Sequence, residues 1–211
     1  MNKYIICSGL RRSGTSMLMY CLRQGGVPIL GQKYAVHINF NTPISEKEKY
    51  GNPNGYWEMG SITTLTGIKE NHADLGMNGD VIKVVTDVLY HSDPDTIEKV
   101  IFMKRSPRAV MASLMKAGQI TNQDQIAAYT EKFIIDTRKS IKFLNDNNKP
   151  FISISYEEIL ENPEQELRKV HDFLDKGTPQ PQLIEKKLNR TSPIIGDISR
   201  MGELEELLEE I

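Results

Sequence analysis

The sequence predicts an α/β fold with a mainly parallel sheet, and three observations predict it. Short apolar, β-branched runs alternate with stretches of helical periodicity along the chain. The first run leads through a glycine-bounded turn into a helix, which is the context a phosphate-binding loop requires. No repeat, low-complexity tract or linker divides the 211 residues, so a single domain over 1–211 is expected.

The elements follow in order. "KYIICS" ends at Gly9 and reads as a buried strand. From Ser13 the spacing of Met17, Leu18, Cys21 and Leu22 is helical, and Gly25-Gly26 stops it. Residues 31–55 mix Gly, Asn, Pro, Lys and Glu without periodicity, which predicts a loop or lid. A helix is expected from about Tyr56 through "TTLTGIKENHADLG". "VIKVV" (81–85) and "KVIFMK" (99–104) read as strands, and Ser106-Pro107 supplies an N-cap and first-turn proline for "RAVMASLMK". Ile126, Tyr129, Phe133, Ile134, Ile141 and Leu144 trace one face of a long amphipathic helix. "PFISIS" (150–155) is a further strand, and Asn162-Pro163 opens another helix with Leu167, Val170 and Leu174 inward. Residues 201–211 space Leu204, Leu207, Leu208 and Ile211 as a terminal helix packed on the domain.

Composition narrows the function. Hydrophobic residues at 39% and charged residues at 26% describe an ordinary globular protein. With 26 basic and 28 acidic residues the net charge is −2, which gives no field for nucleic acid or an anionic membrane. Basic residues instead gather at Arg11 and Arg12, and at Lys104, Arg105 and Arg108, a pattern suited to a small anionic ligand. Cys7 and Cys21 lack CxxC spacing and are expected to be reduced and buried. His37, His72, His91 and His171 are too scattered for a metal site, so no metal is expected. "MNKYIICSGL" lacks a signal-peptide core and no apolar run approaches membrane-spanning length, so a cytoplasmic protein is expected.

"CSGLRRSGTSM" (7–17) carries the candidate chemistry. Gly9 and Gly14 stand five apart, but Thr15 occupies the position where nucleotide-triphosphate loops require lysine. A helix N-terminus there offers N–H groups and a positive dipole end to an anion. Gly14 permits close approach, Thr15 and Ser16 add hydroxyls, and Arg12 brings a planar fork. "KVIFMK" ends in Lys104 and Arg105, not in the aspartate that a magnesium–triphosphate site would use. A glycine turn that merely caps a helix fits the loop alone equally well.

"RRSGTS" resembles the first loop, P-[KR]-S-G-T-[ST], of sulfotransferases that use 3′-phosphoadenosine 5′-phosphosulfate (PAPS). "RSPRAVMAS" resembles their second motif, with Arg105 and Ser113 eight residues apart. "ISYEEILENPEQELRKVHDFL" resembles their strand followed by Tyr-Glu-[Asp/Glu]-Leu and Asn-Pro, and the three together span residues 3–174. The resemblance implies a P-loop-containing three-layer α/β/α fold. It also implies sulfuryl transfer from PAPS to a hydroxyl or amine, releasing adenosine 3′,5′-bisphosphate (PAP).

The resemblance further implies roles. Arg12, Ser13, Gly14, Thr15 and Ser16 would cradle the 5′-phosphosulfate, with Arg12 standing where many relatives have lysine. Arg105 and Ser113 would bind the 3′-phosphate, and Tyr156 would lie near the nucleotide; a half-buried aromatic after a strand is its other reading. Lys83, 22 residues before Arg105, matches a lysine near the transferring group. Val85 occupies the place of a histidine base in many cytosolic relatives. "NPNGYWE" resembles a stretch of bacterial members and makes Glu58 the candidate base, its pKa raised by desolvation beside Tyr56 and Trp57. A glutamate in a helix first turn is its other reading, and His72 and His91 are weaker candidates for the base. Residues 31–80 would shape the pocket for a small-molecule, glycan or peptide acceptor, with Tyr50, Tyr56 and Trp57 available to stack on a ring. The lysine-rich closing loop of the steroid and phenol enzymes has no counterpart, and Arg190 or Arg200 would substitute. A small-metabolite kinase and a non-catalytic nucleotide-binding protein are the competing readings.

Overall fold

The computed structural model describes residues 2–31, 33, 52–58, 79–185 and 200–211. Among these, five strands form an all-parallel sheet: β1 (Tyr4–Gly9), β2 (Ile29–Leu30), β3 (Val81–Lys83), β4 (Ile97–Lys104) and β5 (Phe151–Ser155). Their spatial order is β2-β3-β1-β4-β5. Seven α-helices among the described residues accompany them: α1 (Thr15–Gln24), α2 (Thr86–Leu89), α3 (Pro107–Lys116), α4 (Gln123–Asp146), α5 (Tyr156–Glu161), α6 (Pro163–Leu174) and α7 (Met201–Glu209).

Strand alternation sorts the core into two layers. Ile5 and Cys7 of β1, with Ile101 and Met103 of β4, pack with Leu18 and Leu22 of α1 and Leu167 and Leu174 of α6. Tyr4, Ile6 and Val100 point the other way, onto Val88 and Leu89 of α2 and Leu144 of α4. Phe102 shares that second face with Met111 and Leu114 of α3, Phe133 of α4 and Leu204 of α7. Period-two side chains buried on both faces require helices on both, and a three-layer α/β/α domain results.

Several boundaries differ from expectation. "VIKVV" is strand only through Lys83, because Val85 is the extended N-cap of the short α2. Strand β4 begins at Ile97, two residues before "KVIFMK". Strand β2 is two residues long and carries no periodicity to find. Both Ser106 and Asn162 cap helices that begin with proline, yet neither side chain makes a capping bond. Asn122 does so for α4, accepting from the Gln125 amide at 2.9 Å. Residues 34–51 and 59–78, which hold most of the expected lid and the helix after Tyr56, lie outside the described residues. No helix among the described residues is long and apolar enough to cross a membrane.

Helix α7 seats Met201, Leu204 and Leu208 against α3 and α4, with Leu207 and Ile211 half-buried at its edge. Ion pairs rim the seat: Arg138 with Glu203 at 2.7 Å, Arg108 with Glu205 at 3.1 Å, and Arg200 with Glu131. Exposed pairs contribute little compared with buried leucine. Leu204→Ala is therefore expected to cost about 2–5 kcal/mol in denaturant unfolding. Glu205→Gln should stay within about 0.5 kcal/mol of the parent in the same assay.

Candidate active site

After β1 the chain fills one side of the sheet with β2 and β3, then crosses to place β4 and β5 on the other. Strand β1 is thus the switch point, and a crevice opens at its carboxyl end, where α/β folds hold ligands. The loop from Gly9 to Ser16 lies there. Gly9 and Gly14 have φ of 148° and 100°. A Cβ at Gly9 would lie 2.5 Å from the Met103 carbonyl oxygen, and one at Gly14 would lie 2.5 Å from a Tyr156 ring carbon. Glycine is demanded at both by conformation and by space.

Arg12 also adopts a left-handed conformation, φ 70°, at a cost of about 1–2 kcal/mol for a residue with a Cβ. A hydrogen bond from Arg105 Nη1 to the Arg12 carbonyl at 2.9 Å holds this turn. The turn aims the Arg12 side chain across to α3, where its Nε donates to Ser113 Oγ at 3.1 Å. The Arg105 guanidinium lies 4.2 Å from the centre of the Tyr156 ring, a cation–π contact. Tyr156 is buried at the start of α5, more enclosed than a half-buried aromatic. Four expected residues, Arg12, Arg105, Ser113 and Tyr156, therefore meet on one flank of the loop.

The N-terminus of α1 faces the same crevice. Its cap is Gly14, with no side-chain capping bond and no acidic residue in its first turn. The Ser13 hydroxyl oxygen is buried and makes no hydrogen bond among the described residues. Open amides and an unsatisfied hydroxyl next to arginines fit an anionic ligand.

Lys83 occupies the other flank. It is the last residue of β3 and is 4% exposed. Its Nζ donates to Glu58 Oε1 at 2.7 Å, Ser16 Oγ at 2.9 Å and the Tyr56 carbonyl at 3.2 Å. Glu58 is thus in a salt bridge, not in the apolar aromatic setting expected for it. Trp57, with φ 53°, turns away into the core. Its ring stacks on Tyr20 at 6.5 Å, Arg23 lies over it at 5.0 Å, and its N–H donates to the Asn54 carbonyl. Trp57 belongs to α1's packing and is not available to stack on an acceptor.

The pattern of the sulfotransferase domain matches residues 2–192. The chain belongs to the sulfotransferase domain family. No curated protein is a sequence match for it. Its fold is similar to the sulfotransferase domain of the Synechococcus PCC 7002 olefin synthase, with a TM-score of 0.53 at 16% identity, covering 100% of this chain and 94% of that one. It is also similar to the sulfotransferase domain of the curacin biosynthetic pathway, with a TM-score of 0.51 at 16% identity, covering 94% and 81%.

Other expected residues of this sulfotransferase domain are placed elsewhere. His91 is exposed past the end of α2, its ring tilted against that of Tyr90 with centroids 4.3 Å apart. Arg200 pairs with Glu131 and Glu203, so it anchors α7 and does not face the loop. His72 and Arg190 lie outside the described residues. Asp87, at the start of α2, was not anticipated: it receives Arg11 and Lys132, each at 3.3 Å, and so ties the outer side of the loop to α4. An acid in a helix first turn is a common stabilising feature, so its sequence carries no separate signal. Among the described residues no three His, Cys, Asp or Glu are grouped as metal ligands.

Both cysteines of the domain are free and buried. Burial pushes the Cys7 thiol up from 9.0 to about 12, partly opposed by Lys83, and burial does the same to Cys21. Thiols held protonated are poor nucleophiles. Native protein is expected to resist iodoacetamide at pH 8, with both cysteines labelled once unfolded. Because the unfolded thiols ionise first, stability should fall as pH rises from 9.0 toward about 12, measured by denaturant titration.

Proposed function

We propose that the chain transfers a sulfuryl group from PAPS to a hydroxyl or amine acceptor, releasing PAP. The observation that carries this reading is the second cationic centre beside the loop. Arg105 and Ser113 lie on one flank of an uncapped helix N-terminus, Lys83 and Ser16 occupy the other, and Arg12 of the loop is bonded to Ser113. A donor with phosphates at both its 3′ and 5′ positions uses two such centres, whereas a triphosphate concentrates its charge at one.

In this reading Arg105 and Ser113 hold the 3′-phosphate, and Arg105's planar fork gives it the larger share of that affinity. Ser13, Thr15 and Ser16, with the first amides of α1, hold the 5′-phosphate. Tyr156 backs Arg105 and closes against Gly14. The donor supplies an activated sulfuryl group. As the acceptor oxygen or nitrogen bonds to sulfur, the bond from sulfur to the phosphate oxygen breaks and PAP leaves with the electron pair. Glu58 takes the acceptor's proton. Lys83 and Arg12 stabilise charge on the departing oxygen, and this reaction uses no metal. Arginine does not deprotonate in proteins, so Arg12 acts through charge alone. Residues 31–80 shape the acceptor pocket, and a cytoplasmic setting belongs to the same proposal.

Calorimetry with PAP and, separately, ATP plus magnesium tests the donor. PAP should bind more tightly, and Arg105→Ala should weaken it roughly 10- to 100-fold, the loss of a charge-assisted contact. A preference for ATP would overturn the donor assignment in favour of a kinase. Against a panel of hydroxyl and amine acceptors, Glu58→Gln should bind PAP at least as tightly as the parent and lose about 10²- to 10⁴-fold in turnover. Full activity in that variant would remove Glu58 as the base and make His72 the next residue to test.

A further inference from the structure

Lys83 has more to do than its geometry allows at one time. An ammonium has three N–H donors. All three are engaged, by Glu58, Ser16 and the Tyr56 carbonyl. With the side chain 4% exposed, water is largely kept from replacing a broken bond. A new anionic oxygen arriving at Ser16 must therefore displace one of the present partners. Ser16 lies on the arrival side, and Tyr56 offers a neutral carbonyl. Glu58 is the partner that shares the newcomer's charge, and one buried cation cannot compensate two anions well.

We propose that Glu58 and the donor compete for the Lys83 ammonium, so that donor binding draws Lys83 away from the carboxylate that accepts the proton. This rests on the donor and base assignments made above. While the donor is absent, Glu58 is neutralised by Lys83 and held at 2.7 Å from its Nζ. Once the donor takes the ammonium, the carboxylate no longer shares its charge with Lys83 and can accept the acceptor's proton. The order of addition follows: donor first, acceptor second. The segment 52–58 is drawn into the exchange, because Lys83 also holds it through the Tyr56 carbonyl, while the Tyr56 amide donates to the Lys33 carbonyl at 2.7 Å.

The test is a double-mutant cycle read by calorimetry with PAP on the wild-type chain, Glu58→Gln, Lys83→Met and the double variant. Glu58→Gln should tighten PAP binding roughly tenfold, a coupling of the size contacting charges show. In the Lys83→Met background the same substitution should change affinity by less than about twofold. Equal tightening in both backgrounds would mean simple repulsion between Glu58 and the ligand, and would overturn the competition; so would no tightening in either. Hydrogen exchange on the wild-type chain gives a second measurement that does not depend on the Lys83 variant folding. The amides of Tyr56, Trp57 and Glu58 should exchange faster when PAP is saturating, and unchanged or slower exchange overturns the handover. A wild-type chain that binds no PAP overturns the donor assignment and the competition together. PAP binding without coupling overturns the competition alone.

Discussion

The hydrogen bond from Arg105 to the carbonyl of Arg12 is the contact on which the rest of the site depends. A left-handed arginine is unfavourable by itself, and such strain persists only where its surroundings enforce it. The carbonyl that this turn points outward would lack a helical or strand partner, and Arg105 supplies one from the end of the adjacent strand. The turn then has three effects. It starts α1 with its amides open, sends the Arg12 side chain to Ser113, and leaves Gly14 bare for the Tyr156 ring. Arg105 is itself fixed by its stacking on Tyr156. One guanidinium thereby joins β1, β4 and β5 at their carboxyl ends.

Charge is divided across the crevice more deliberately than the near-neutral composition suggests. Arg12 and Arg105 lie on one flank and Lys83 on the other, with the dipole of α1 between them. Each cation is already bonded to protein: Arg12 to Ser113, Arg105 to the loop carbonyl, Lys83 to Glu58. Their positions are set before any ligand arrives, which removes ordering entropy from binding. The same bonds mean that an incoming anion exchanges partners and does not simply fill a vacancy.

Much of this was legible in the sequence because it rested on local rules. Gly9, Gly14, the Gly25-Gly26 stop and the prolines at 107 and 163 each act through their own backbone, and the elements they bound appear where expected. Arg105 and Ser113 were readable as a pair only through the resemblance of "RSPRAVMAS" to a family motif, which spans the end of β4 and the helix after it. What was not legible depends on contacts between distant segments. Glu58 beside Trp57 reads as a carboxylate in an aromatic pocket, but the left-handed backbone at Trp57 sends the two side chains apart. Glu58 then meets Lys83, a residue 25 positions away. Asp87 and Arg11 are 76 positions apart, and nothing in either segment names the other. Strand β2 was missed because two residues cannot display a period.

The all-parallel sheet also sets when the site can come into being. Strand β1 has no sequence neighbour to pair with: Ile5 lies beside Val81 and Lys99, and the loop that follows needs Arg105 and Tyr156 for its shape. Parallel pairing of this kind closes long chain loops before any contact rewards them, which slows folding. The crevice thus cannot take shape before these distant strands have paired, although its loop comes from the first strand. A partly folded chain of this topology carries the motif without the geometry, and so gains affinity for anions only once its central strands have docked.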